Sequence, residues 1–277
     1  MKTKFLLSSF ILFALFSCHK ENDHEPGTPF NPPSFVSLKL KDINMTNLPS
    51  PYYHFEYRDD KHISNFNFSD GLIYDMTYTG DNLTLMKNNT DGTTKDSVKY
   101  NYTDNKLTSI IVTTDDGVTY RRAFLTYYSS GKLEKIEWEI ITDNGPFANE
   151  QSFTFNYYTD GNVKEILQEY FAVNSLPATS FRDTYTNYDN KVNADGFTLA
   201  EPSRFHIPIL IPGITLQVNN AGRMVRTGGA AVNFEVNYTY TYDGNGRPLT
   251  KAGDFVNTSG SDAGQHFQLQ TTYSYYN

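Results

Sequence analysis

Few residues of this chain could do chemistry, and their spacing decides against most of it. Of six histidines, His54, His62, His206 and His266 fall in the body of the chain. The stretch "HFEYRDDKH" (His54 to His62) gathers two His and two Asp. It reads as strand, turn, strand, whereas a zinc site needs convergent ligands with a third close by. No two histidines have the i, i+4 spacing of a helical metal site. "YDNKVNADG" (Tyr188 to Gly196) sets out Asp189, Asn193 and Asp195 in the manner of a calcium loop. Its third position is Lys191 and its twelfth Ala200, where such a loop needs an oxygen ligand and Glu. Turn chemistry explains it better. No nucleophile elbow and no Gly-rich phosphate loop is present, and no cofactor or metal is expected. Glu137/Glu139 and Asp115/Asp116 are acid pairs of the kind that hydrolyse glycosides. Glu137 and Glu139 flank Trp138, so they point to the opposite, solvated face of their strand.

Aromatic side chains are abundant, with 20 Phe and 21 Tyr. Trp138, the one tryptophan, shares a strand face with Ile136 and Ile140, which places it in a core. It is also a candidate platform for sugars, together with Tyr127, Tyr158 and Tyr188. No catalytic residue is assigned, and enzymatic activity is disfavoured.

The elements that must position these residues begin after a leader. Lys2 and Lys4 precede a short apolar stretch from Phe5 to Phe16. It is shorter than the roughly 20 residues of a spanning helix and reads as a signal peptide, residues 1–17. It ends in "LFSC" (Leu15 to Cys18), a small residue before the only cysteine, which resembles a bacterial lipobox. That resemblance implies cleavage before Cys18 and attachment of its thiol to diacylglycerol, so the membrane is a partner through a lipid anchor. Residues 18–33 are polar, then Pro-rich, and read as a flexible tether. "KEND" (Lys20 to Asp23) resembles the acidic export signal of some Gram-negative lipoproteins. The expected location is the outer membrane, lipid-anchored and surface-exposed, with the periplasmic face as the alternative. A net charge of −8 makes nucleic acid a poor partner.

Residues 34–277 form a single β domain. "NYTDNKLTSI" (Asn101 to Ile110), "TYYSSGKLEKI" (Thr126 to Ile136), "NYYTDGNVKEI" (Asn156 to Ile166) and "TYTGDNLTLM" (Thr77 to Met86) share one pattern. Each has Tyr, two turn formers, a polar pair, then Leu or Val. Alternation before the turn puts Phe153, Phe155 and Tyr157 on one strand face. The Asp, Asn and Gly pairs suit tight hairpin turns. Beyond the turn, Leu107/Ile110, Leu133/Ile136 and Val163/Ile166 lie three apart. A bulge just past the turn returns both members to one face. The unit recurs every 24 to 34 residues and the chain closes on "TYSYYN", a first strand with no second. "YDGNGR" (Tyr242 to Arg247) resembles the YD repeat of Rhs-type proteins, whose hairpins build long spiralling antiparallel sheets. The chain is also similar to Gram-negative envelope lipoproteins with a porin-like meander. Nothing here resembles the autoprotease or toxin tail of the Rhs family.

The expectation is an all-β, long antiparallel hairpin meander of about 14–17 strands, strongly twisted and barrel-like or curled. One edge carries uniform tight turns and the other longer, varied loops, including "TDNGPFANEQS" and "FVNTSGSDAGQHF". Binding is expected at the varied edge. Outward residues such as Lys164, Glu165, Gln168 and Glu169 are too charged for a lipid-facing band. Phe197 to Leu216, with Pro202, Pro208 and Pro212, reads as a loop covering an apolar face. The functional expectation is a non-catalytic envelope lipoprotein that binds or scaffolds, with polysaccharide or an envelope protein as partner. The alternatives are a hydrolase acting on surface polysaccharide and a structural subunit of an envelope complex.

Overall fold

The computed structural model describes residues 39–59, 62–69, 71–90, 96–143, 145–193, 198–200, 209–229 and 233–276. The signal peptide, Cys18, the tether and His206 lie outside the described residues. The first strands are β1 (Leu40–Met45), β2 (Tyr53–Tyr57), β3 (Ile63–Phe68), β4 (Leu72–Thr79), β5 (Asn82–Asn88) and β6 (Asp96–Thr103). The middle of the chain forms β7 (Lys106–Thr114), β8 (Thr119–Tyr127), β9 (Leu133–Ile141), β10 (Phe147–Tyr157), β11 (Val163–Tyr170) and β12 (Thr179–Thr186). Then come β13 (Thr198–Ala200), β14 (Ile209–Ile211), β15 (Arg223–Thr227), β16 (Phe234–Tyr242), β17 (Pro248–Asn257) and β18 (His266–Tyr275). Sixteen of these close into one antiparallel barrel, with β12 pairing β15 across an insertion and β18 pairing β1.

The expected bulge recurs just past the tight turns. Register slips between Glu56 and Tyr57, Thr77 and Tyr78, Asn101 and Tyr102, Thr126 and Tyr127, Asn156 and Tyr157, and Thr241 and Tyr242. Leu107 and Ile110, and likewise Leu133 and Ile136, are therefore buried on one face. In the tightest turn Asp104 and Asn105 take φ of 51° and 60°, the left-handed region that short hairpin turns require. The bulge at Lys164 also shifts the strand beyond it. Glu165 and Glu169 face out as expected, but Gln168 is paired with Phe153 and Phe181 on the inner face.

The repeat tyrosine fastens one hairpin to another. Tyr57 Oη donates to the Leu40 carbonyl at 3.0 Å, Tyr102 to Leu83 at 3.0 Å, Tyr127 to Leu107 at 2.7 Å and Tyr275 to Pro248 at 2.7 Å. The basic residue of the turn covers the ring of the next unit. Arg58 lies 4.8 Å from the Tyr78 centroid, Lys132 4.3 Å from Tyr157 and Arg247 4.7 Å from Tyr275. Phenol and cation thus bind adjacent hairpins where backbone pairing ends.

The unpaired closing strand finds its second half at the other end of the chain. Leu40 pairs with Tyr275 and Asp42 with Ser274, leaving Lys41 as the bulged residue. Leu40 and Ile43 lie three apart and are both buried, as Leu107 and Ile110 are. The termini together build one more copy of the unit.

The interior is apolar and the wall is polar. Phe55, Phe66, Tyr74, Met86, Ile110, Trp138 and Val163 are among the inner residues of one continuous core. The outer faces carry cross-strand ion pairs: Arg122 with Glu139, Arg182 with Glu165, and Arg223 with Glu235. This is the reverse of the arrangement by which a barrel crosses a bilayer. The Pro-rich segment is not simply a loop. β13 and β14 form a separate two-stranded sheet, and Ile209, Leu210 and Ile211 are buried in the core.

Candidate binding end of the barrel

The two rims differ in kind. One holds the turns of the tyrosine repeat, the insertion between β12 and β15, the chain's passage into β1 and its exit from β18. The other, the loop rim, holds the varied connections, including those at 171–178 and 258–265. "TDNGPFANEQS", expected as a long loop, is instead a short turn at 142–146 leading directly into β10. Two further bulges lie on the loop side, at Val112/Thr113 and Asn149/Gln151. The second breaks the alternation of β10, so Glu150, Gln151 and Ser152 are buried in succession. An extra residue re-aims side chains in just this way.

Inside the loop rim two carboxylates meet two guanidinium groups. Arg121 Nε and Nη2 donate to Glu150 at 2.9 and 3.1 Å, and Glu150 is fully buried. Arg226 Nε and Nη2 each donate to Asp183 at 2.6 Å, and the carboxylate beside it holds the guanidinium firmly charged. Gln168 Nε2 donates to Asp183 at 2.7 Å, and Tyr170 Oη donates to Gln168 at 3.3 Å. Gln151 pairs in register with Tyr170 and Trp138. It is 1% exposed, and neither its amide oxygen nor its nitrogen has a hydrogen-bond partner among the described residues. The belt is polar but internally neutralised.

Aromatic rings continue the belt around the rim. Tyr170 and Phe181 meet edge to face at 6.0 Å. The Arg226 guanidinium lies 5.3 Å from both the Phe181 and Phe234 centroids. Phe234 lies 5.7 Å from Phe255, and Phe255 stacks on Phe267 at 4.8 Å with 15° between the planes. Gly253 keeps this path open, since a Cβ there would come within 3.0 Å of Phe255 and Val236. The stripe runs from buried Asp183 outward to Phe267, which is 45% exposed.

Of the residues singled out from sequence, Trp138 borders the belt beside Gln151 but is sealed from solvent, and the three tyrosines lie at the other rim. Trp138 is fully buried in the core. Tyr127 is fastened to Leu107, Tyr158 Oη donates to the Tyr185 carbonyl at 3.0 Å, and Tyr188 Oη donates to the Val163 carbonyl at 2.6 Å. All three tyrosines belong to the tight-turn side. Cys18 lies outside the described residues. His54 and His62 face separate carboxylates, Asp42 at 2.6 Å and Asp59 at 2.8 Å. Among the described residues no group of three His, Cys, Asp or Glu is placed to hold a metal. Asp189 of the calcium-like stretch accepts from the amides of Lys191 and Asn220 and from the Tyr242 hydroxyl, as a turn residue. Glu150, Asp183, Arg226 and Phe267 were missed because the contacts that unite them span 29 and 43 residues or depend on a bulge. The one local signal was Phe255 and Phe267 flanking a long polar loop.

No protein-family model matches the chain, and no curated sequence matches it significantly. A crystal structure of TcdB2-TccC3-TEV aligns with 81% of this chain and 17% of its own, at 12% identity and a TM-score of 0.19, too low to indicate a shared fold. A porin-like protein from Bacteroides uniformis ATCC 8492 aligns over 89% of this chain and 100% of its own, at 12% identity and a TM-score of 0.56. The chain shares with that protein the architecture of a closed antiparallel β-barrel.

Proposed function

We propose that the protein is a lipid-anchored, non-catalytic barrel of the cell envelope that binds a carbohydrate chain at its loop rim. The observation that carries this reading is the stripe Phe181, Arg226, Phe234, Phe255 and Phe267. The apolar faces of pyranose rings stack on aromatic rings, while the part-exposed Arg226 guanidinium, held in place by Asp183, offers hydrogen bonds beside them. Both buried carboxylates are held by arginine, so neither is poised as the proton donor that glycoside hydrolysis requires. The chain passes into the barrel at the tight-turn rim, directly after the tether. A lipid at Cys18 would therefore hold that rim toward the membrane and turn the loop rim away from it. The polar outer wall supports a barrel that stands clear of the bilayer.

The test is a glycan array probed with the mature chain and with Phe255→Ala and Phe267→Ala variants. Retention of one glycan class, lost in both variants while they stay folded, is the expected result. A blank array with fully folded protein would overturn the proposal.

A further inference from the structure

The seam between β18 and β1 is unequal. β18 pairs with β17 along most of its length, from His266 to Thr272. β1 ends at Met45, opposite Thr271, and its last contact is Thr46 N–H donating to the Gln270 carbonyl at 2.9 Å. His266, Phe267, Gln268 and Leu269 therefore run on with no strand on that side among the described residues. Outward-directed backbone groups alternate along an antiparallel strand. Since Gln270 faces β1, the free N–H and C=O groups in line with it belong to Gln268 and His266.

Natural proteins blunt such an edge with Lys, Pro, a bulge or a covering segment. None of these devices is present among the described residues. From Gln265 to Asn277 there is no Lys, Arg, Asp, Glu or Pro. The exposed half of β18 has no register slip against β17. Phe267 and Leu269 stand 45% and 43% exposed beside the open edge. We infer that this edge is a docking strand: an extended segment of another polypeptide adds to β18 in line with β1. The segment's alternate apolar side chains lie against Phe267 and Leu269.

Two other occupants fit less well. Residues 1–38 lead into β1 at the opposite rim, about 30 Å away along nine residues of strand. To reach this edge they would have to run back along the wall, away from a lipid at Cys18, a point that rests on the anchor proposed above. A second barrel meeting this one along four residues would bury far less than the roughly 1,200–2,000 Å² of a stable protein pair. A single extended chain needs only the edge itself, and backbone pairing supplies its affinity. The inference shares the Phe267 ring with the carbohydrate reading but is separable from it, because its decisive contacts are the backbone groups of His266 and Gln268.

The experiment uses the full chain and a fluorescent peptide, acetyl-KTVTFTVK-amide, against acetyl-KVVFTTTK-amide, which has the same composition without alternation. The alternating peptide is expected to bind at least about tenfold more tightly. Gln268→Pro removes one of the two free N–H donors and is expected to cost about tenfold, while Gln268→Ala stays within about twofold. The amides of His266 and Gln268 should exchange rapidly in the free protein and slowly with the alternating peptide. That measurement stands if the proline variant fails to fold. Equal binding of the two peptides, wild-type affinity in a folded Gln268→Pro variant, or unchanged exchange at His266 and Gln268 would overturn the inference. So would a dimer in sedimentation that Gln268→Pro abolishes, since the occupant would then be a second copy. Phe267→Ala should weaken peptide and glycan alike, whereas Gln268→Pro should spare the glycan.

Discussion

The two rims are made from the same strands by different chemistry. At the tight-turn rim the phenols of Tyr57, Tyr102, Tyr127 and Tyr275 donate to backbone carbonyls of neighbouring hairpins, and Arg58, Lys132 and Arg247 cover neighbouring rings. The bonds are short-range, neutral and repeated. At the loop rim the strands carry buried ion pairs, a glutamine amide without a partner among the described residues and a stripe of rings that ends half exposed. One rim reuses a single solution and leaves few groups unspent. The other departs from the repeat at its bulges and loops, and those departures expose groups that can meet something else. Within one barrel, regularity serves closure and irregularity serves recognition.

The largest expected effect is alkaline. Burial pushes the phenols of Tyr78, Tyr102 and Tyr127 up to about 12 from 10.0. Between those values the unfolded chain gives up protons that the folded chain keeps. The stability they contribute is therefore full below pH 10 and is lost as the pH rises through 12. Burial lowers Lys132 to about 8, so its contribution rises with pH from there, one group against many. Phenolate absorbance should appear together with loss of β-structure in circular dichroism. Phenolate absorbance near pH 10 in a folded barrel would mean the clamps are open.

Next comes Arg226→Ala, which strands the buried Asp183 carboxylate and should cost about 3–5 kcal/mol in urea unfolding. Adding Asp183→Asn should recover part of that loss. A loss no larger than a surface substitution would show the ion pair to be solvated and narrow the contrast between the rims. Tyr127→Phe removes one clamp and should cost about 1 kcal/mol without altering ligand binding. Phe267→Ala should be smallest on stability, below about 0.5 kcal/mol, yet should reduce glycan binding by at least about tenfold. If these two variants exchanged behaviours, with Tyr127→Phe impairing binding and Phe267→Ala melting the barrel, the assignment of roles would be reversed.

The tight-turn rim was legible because its cause is local. The three-residue spacing of Leu107 and Ile110 requires a bulge, and the bulge is there. The position of Trp138 between Ile136 and Ile140 implied burial in the same way. Gln168 was misplaced because one bulge inverts every later side chain, and sequence alone does not say how far the shift persists. Asp183 and Arg226 were not legible because nothing in a strand's own pattern announces a partner 43 residues away. "LKDI" (Leu40 to Ile43) has the Leu-x-x-Ile spacing of later units, but its hairpin lacks a turn, so the sequence around it carries no other mark of the repeat.

That divided hairpin has a consequence for where the chain is cut. Because β18 and β1 reproduce the contacts of a connected pair, the ring has no privileged starting point. Joining the ends with a turn such as "DGNG" and opening another tight turn would leave all sixteen seams intact. The turns of the tyrosine repeat all lie on one rim, so a tether spliced to any of these openings would emerge on the same side. The orientation of the molecule is a property of the ring, and the position of its ends is a matter of which turn was left open.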